Sequence, residues 1–187
     1  MRSAMPFPEF GDPPRRLHGS QVTLRPWSDR DLKMLANAFA IPDIAASMRP
    51  PVPVGTRGAR QWIEARRSMP VRQRGASYAI EGGDDSAAVG SVELRARARE
   101  PAAMEVGYWL MPAGRRHGVA REAVGLACRW AFESTATMSI VAVIDVANDS
   151  SQRLVTALGF ECRERLESND GWLGDWLLFE LSRTETS

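Results

Sequence analysis

The run MSIVAVIDV, residues 138–146, constrains the fold more than any other stretch. It is nearly all apolar and β-branched, the pattern of a strand buried on both faces. A sheet with such a strand must carry cover on each side, so the neighbouring segments have to supply helices. They do. From Val119 to Phe132, residues Ala120, Ala123, Val124, Ala127 and Ala131 fall on one helical face. After the run, SSQRLVTAL places Ser151, Leu154, Val155 and Leu158 on one face of a second helix.

The rest of the chain fits the same plan. SQVTLRPW reads as a first strand. SDRDLKMLANAF follows as a helix with Ser28 as N-cap and Asp29 and Asp31 in its first turn. MRPPVPVG breaks regular structure, and TRGARQWIEARRSM predicts a second helix with Trp62 and Ile63 inward. ASYAIEG, AAVGSVELR and AMEVGYWLM predict three strands, and GFECRERL and GWLGDWLLFEL predict two more at the end. The order is strand, two helices, three strands, helix, strand, helix, two strands: an α/β chain with a mixed sheet. Residues 1–19 are rich in proline and glycine and predict a mobile N-terminal arm. Residues 20–183 read as one domain and 184–187 as a tail.

With 187 residues the chain is long enough for one sizeable core. A formal net charge of +1 argues against nucleic-acid binding by bulk charge. The arginine clusters ARRSMPVRQR and LRARAR then read as solvated faces. No apolar run is long enough to span a membrane, and MRSAMPFPEF has no signal-like apolar core. Two cysteines, Cys128 and Cys162, make no disulfide framework, so a reducing cytoplasm is expected. With only His18 and His117 beside them, no metal site is expected. The expected state is a monomer or a homodimer.

The segment GRRHGVAREAVG, residues 114–125, carries the chemistry. It sets positive charge and a glycine at a helix start, where the helix dipole already disfavours cations. An anionic ligand resolves the conflict. Amides at a helix N-terminus lack intrahelical partners, Gly118 permits positive φ and close approach, and successive N–H groups there form an anion cradle. Arg115, Arg116 or His117 would add charge at the rim; without a ligand they are ordinary loop residues.

In context, the segment resembles the GNAT acetyltransferase superfamily. The family's pyrophosphate loop, Arg/Gln-x-x-Gly-x-Gly/Ala, is matched by Arg115-Arg116-His117-Gly118-Val119-Ala120. Asn148, Ser151 and Leu158-Gly159-Phe160 match the family's Asn, Ser and Leu-Gly-Phe positions. EVGYWL and the pair Gly171 and Asp175 look like the branch that acetylates N-termini of ribosomal proteins. The match is specific from about Met104 to Phe160. It implies a single domain with a mixed, mostly antiparallel sheet of six to seven strands, splayed at its centre and flanked by about four helices.

The resemblance also implies acetyl-CoA as co-substrate and an amine as acceptor, a peptide N-terminus or a small molecule. The amides of Arg116 to Ala120 would hold the pyrophosphate. The backbone at Leu110 and Met111 would pair with pantetheine, and Asn148 and Ser151 would line the thiol end. Asn148 also reads as a plain helix cap and Ser151 as a first-turn surface serine. Tyr108 and Trp109 read as packing residues that shape the acyl site.

Direct attack of an amine on a thioester requires loss of the amine proton, a donor for the oxyanion and a proton for the thiolate. An α-amine with pKa near 8 is roughly one-tenth neutral at pH 7, whereas a lysine amine is neutral to only a few parts in ten thousand. Glu105, on the strand before the loop, and Glu167, near the last turn, are candidate bases; water, Asp145 and the substrate itself are the alternatives. Many family members place a tyrosine in the helix after the Asn, where it protonates the thiolate. SSQRLVTAL has none, which leaves Ser151 as the nearest replacement. The missing tyrosine also keeps a second reading open, a non-catalytic acyl-CoA-binding module. Cys128 and Cys162 read as packing residues rather than nucleophiles.

Overall fold

The computed structural model describes residues 13–48, 53–69, 75–82, 87–97, 100–166 and 174–184. Among these residues, an eight-stranded sheet forms the middle layer, in the order β1-β2-β3-β4-β5-β6-β8-β7. Strands β1 (Leu17–His18), β2 (Val22–Arg25), β3 (Gly75–Gly82), β4 (Ala88–Arg97) and β5 (Glu100–Leu110) pair antiparallel in sequence. β6 (Ser139–Asp145) joins β5 in parallel, and β8 (Trp176–Ser182) lies antiparallel between β6 and β7 (Glu161–Leu166).

Alternation along the strands builds two cores. Tyr78, Ile80, Val92, Leu94, Met104, Val106 and Leu110 face the long helix α4 (Val119–Ser134) and the shorter α5 (Asp149–Thr156). On the opposite face, Ala79 and Ala88 pack under α1 (Leu32–Ala38), α2 (Pro42–Ser47) and α3 (Gly55–Arg67). Trp62 is the centre of that second core, edge-on to Trp27 at 4.9 Å and to Phe39 at 5.8 Å, with the Arg66 guanidinium 4.3 Å above its ring. The expected two-sided burial of MSIVAVIDV holds at Ile140, Val141, Ala142 and Ile144, all buried.

Two elements exceed the expected six to seven strands and four helices. β1 lies inside the segment expected to be an arm: Leu17 pairs with Leu24 and packs on the first core. Two residues are too few to show a period. α2 is a six-residue helix started by Pro42, whose fixed φ and missing N–H suit a first helical position. Its single inward residue, Ile44, gives no helical stripe in the sequence.

A buried ion network ties the second layer to the sheet edge. Arg25 donates two bonds of 2.7 Å to Asp31 and one to Glu81. Asp31 also accepts from the Ser28 amide at 2.9 Å, closing a capping box at the predicted cap. Burial pushes the Asp31 carboxyl up, but the bonds from Arg25 and Ser28 outweigh it and hold its pKa below the ordinary 3.8.

Candidate active site

β5 and β6 share only three register pairs, Ala103–Ser139, Met104–Ile140 and Glu105–Val141. Beyond them the two strands part. β5 runs on to Leu110 against β4 alone, and β6 runs on to Asp145 against β8 alone. The edge of Val106–Leu110 that would meet β6 therefore borders a wedge in the middle of the sheet.

The loop 115–118 sits at the mouth of that wedge, between Leu110 and α4. Arg116 has φ +79° and Gly118 has φ +75°, so two of four residues are left-handed. Arg116 is the one non-glycine residue with positive φ among those described, a conformation that costs about 1 kcal/mol or more and persists where the surroundings impose it. Gly118 is the N-cap of α4, and the first helical hydrogen bond runs from the Glu122 amide to the Gly118 oxygen at 3.0 Å. The amides of Val119, Ala120 and Arg121 thus precede the helical ladder. A Cβ placed on Gly118 would find no atom within 4 Å, so the space above the loop is open. Glu122, the acid in the first turn, faces away and accepts from Gln21 N at 3.1 Å and Ser20 Oγ at 2.9 Å.

The expected rim cations divide. Among the described residues, Arg116 and His117 are exposed with no side-chain partner. Arg115 is committed elsewhere: Nε donates to the Leu110 oxygen at 3.1 Å and Nη2 to Asp43 of α2 at 2.6 Å. It braces the loop instead of standing at its rim. Val119 is buried in the first core and Ala120 packs beside it, so they offer backbone only. Met111 donates its N–H to the Val89 oxygen at 2.8 Å and takes the Gly114 amide at 2.9 Å. The Leu110 carbonyl, with one donor from Arg115, keeps a second lone pair.

Across the wedge, Asn148 is the N-cap of α5, its Oδ1 accepting from Ser151 N at 3.0 Å and Ser150 Oγ at 2.9 Å. Ser151 is half-buried in the first turn of α5. Tyr108, on β5, spans the wedge and donates its hydroxyl to the Ser151 oxygen at 3.3 Å. Burial pushes the Tyr108 phenol up to about 12. Tyr108 packs on the first core as its sequence position implies, but its reach to α5 is not legible there, because strand alternation gives a face and not a span.

Glu105 lies where the strands part, on the sheet face opposite Tyr108. It receives Arg95 Nη2 at 2.8 Å, and Arg97 Nη1 stands 3.9 Å away. Glu93, on the same face, pairs with Arg66 at 3.0 Å and Arg95 at 3.5 Å. Asp145 accepts the Ala147 amide at 2.8 Å and so fixes the turn after β6. Glu167 and Gly171 lie outside the described residues. Cys128 is buried and its thiol is pushed up to about 12, which makes it inert; Cys162 is exposed on β7. No group of His, Cys, Asp and Glu suited to a metal occurs among the described residues, and no described helix is long and apolar enough to cross a membrane.

This arrangement offers backbone donors to a polyanion at one end of a wedge and hydroxyl and amide groups at its depth. The family described as Acetyltransferase (GNAT) domain matches residues 21–161. A Bacillus subtilis (strain 168) protein called uncharacterized N-acetyltransferase YoaA is 23% identical over 145 residues, covering 78% of this chain and 82% of that protein. Ribosomal-protein-S5-alanine acetyltransferase from Vibrio fischeri superposes with a TM-score of 0.76 at 20% identity, covering 91% of this chain and 97% of the other. Mycobacterium smegmatis RimJ in complex with CoA-disulfide gives 0.76 at 20%, covering 94% and 90%. At these identities the superpositions speak for the fold.

Proposed function

The chain belongs to the acetyltransferase (GNAT) family, and on that premise we propose that it moves an acetyl group directly from acetyl-CoA to a primary amine, with peptide α-amines as the favoured acceptors. Transfer to amines is the chemistry of the family and of the relatives named above. The observation that carries the choice of donor is the loop at the mouth of the wedge. Two left-handed residues and the unladdered amides of α4 make a cradle that a side chain on Gly118 would fill.

In this reading the amides of Arg116 to Ala120 hold the pyrophosphate, with Arg116 and His117 adding charge. The Leu110 carbonyl receives a pantetheine amide, and the thioester reaches the depth of the wedge near Ser151. Bound there, acetyl-CoA supplies an activated carbonyl and a thiolate leaving group. Asn148 holds the start of α5, and through it Ser151, in place. Arg115 fixes the Leu110 end of the strand.

The acceptor enters from the face of α1–α3, where Glu93 and Glu105 alternate with Arg66, Arg95 and Arg97. Each of these carboxylates already receives guanidinium donors. An amine that must be fully deprotonated by Glu105 would have to displace them. An α-amine, roughly one-tenth neutral at pH 7, avoids that requirement, whereas a lysine amine does not. The name of the Vibrio fischeri relative, a ribosomal-protein-S5-alanine acetyltransferase, supports the same acceptor class.

The test is release of free thiol from acetyl-CoA in the presence of peptides with free N-termini, lysine-only peptides, polyamines and aminoglycosides. Turnover is expected with free N-termini and little with lysine side chains. Tight binding of acetyl-CoA without thiol release for any amine would favour the acyl-CoA-binding module instead.

A further inference from the structure

We propose that the Tyr108 hydroxyl is a catalytic group of this enzyme, a two-way relay that takes the proton leaving the amine nitrogen and gives its own to the departing sulfur. The proposal rests on the acetyltransferase reading above and assigns the proton path that reading leaves open.

Three observations point to it. Tyr108 lies on the stretch of β5 that β6 has left, and its ring packs on the sheet face covered by α4 and α5. Its hydroxyl reaches across the wedge to the first turn of α5, the turn that Asn148 caps. The bond it makes there is long for an O–H···O contact, 3.3 Å, to an oxygen whose own place is in the helical ladder. The hydroxyl is positioned by its ring and weakly held by its partner, so it can turn to a ligand at little cost.

The other groups near the wedge are poorer candidates. α5 carries no tyrosine of its own, Cys128 is buried with its thiol pushed up, and Glu105 faces the other side of the sheet between Arg95 and Arg97. Asn148 has both neighbours of its side-chain oxygen filled by α5.

The chemistry suits one hydroxyl. When the amine nitrogen bonds to the acyl carbon, nitrogen and sulfur sit on the same carbon. Tyr108 Oη accepts the nitrogen proton while its own proton passes to sulfur; the C–S bond breaks, its electron pair stays on sulfur, and a thiol and an amide leave. The phenol ends as it began, so no free phenolate forms. That matters because a tyrosinate in this setting is a much stronger base than an alkyl thiolate, whose conjugate acid has a pKa of about 8.5. A stepwise donation would run uphill, and a concerted exchange does not.

The test is Tyr108→Phe, with Tyr78→Phe as a control because that hydroxyl lies far from the wedge, 3.4 Å from the Pro14 oxygen. Calorimetric titration with acetyl-CoA and steady-state kinetics with a reactive amine are measured for both. Tyr108→Phe is expected to keep acetyl-CoA affinity within about three-fold and lose about 10²–10⁴-fold in kcat. In mixed H2O and D2O the wild type is expected to show a curved, two-proton dependence of kcat that the variant lacks. Tyr78→Phe is expected to match the wild type throughout. A Tyr108→Phe enzyme with wild-type kcat, or one that loses kcat and acetyl-CoA affinity together, overturns the relay while leaving the acetyltransferase reading intact. A wild type that binds acetyl-CoA yet releases no thiol overturns both.

Discussion

The two sides of the wedge are built on different principles. On the α4–α5 side, the parts that face the wedge mouth are mostly backbone: the loop 115–118, the first amides of α4 and the Leu110 carbonyl. On the α1–α3 side of the sheet, the contacts are between side chains: the buried Trp27–Trp62–Phe39 cluster and Arg25–Asp31–Glu81 network, and the Arg66–Glu93–Arg95–Glu105 ladder, the one of the three that reaches β5 beside the wedge. Backbone recognition needs a local conformation, which a few residues in sequence can specify. Side-chain recognition needs partners brought from distant strands and helices. The first suits a donor common to a family, and the second suits an acceptor that differs between its members.

The sharpest way to break this comparison is at the ion network. Arg25→Ala leaves Asp31 and Glu81 without their buried partner, which is expected to cost about 3–5 kcal/mol of stability. Urea unfolding measures it. A loss under about 1 kcal/mol would mean that Arg30 and Arg16, which also reach Glu81, carry the network without Arg25.

Next is the pH dependence of the same network. Asp31 has a lowered pKa in the folded chain, so its contribution is complete above pH 4 and is lost as the pH falls through that lowered value. The melting temperature is expected to drop between pH 4 and pH 2, and Asp31→Asn is expected to melt lower at pH 7 and to show a shallower drop. An equally steep drop in the variant would place the acid lability elsewhere.

On the other side of the wedge, Asn148→Ala removes an N-cap and should cost about 1 kcal/mol, with a modest rise in the acetyl-CoA dissociation constant. Thermal melting and calorimetry read the two effects. The smallest effect is expected from Asp43→Ala. Its pair with Arg115 is largely exposed, so stability should change by less than about 1 kcal/mol, less still in high salt. A large loss of acetyl-CoA affinity in that variant would show that the α1–α3 side also shapes the donor site.

The same contrast explains what the sequence made legible. The loop, the buried strand β6, the α4 stripe and the Ser28 cap were all written locally, in glycine position, residue type and period. So was the α/β class. β1 and α2 were too short to show a period. Arg115 reads as a rim cation in sequence, and only the fold brings Asp43 of α2 and the Leu110 oxygen within its reach. Glu105 reads as a candidate base on a strand, and pairing of β4 with β5 sets Arg95 directly opposite it. Tyr108 reads as packing, and its reach depends on β5 and β6 parting after Glu105.

The central claim, that the backbone at Gly118 forms the donor site, is tested most directly by calorimetric titration of acetyl-CoA into Gly118 variants. Gly118→Val adds bulk and strains a residue at φ +75°. Gly118→Asn adds bulk at a residue type that tolerates such a φ, so it separates occlusion from strain. Both are expected to bind acetyl-CoA at least ten-fold more weakly than the wild type, about 1.4 kcal/mol, with an unchanged circular dichroism spectrum for the Asn variant. A folded Gly118→Asn protein with wild-type affinity would contradict the account.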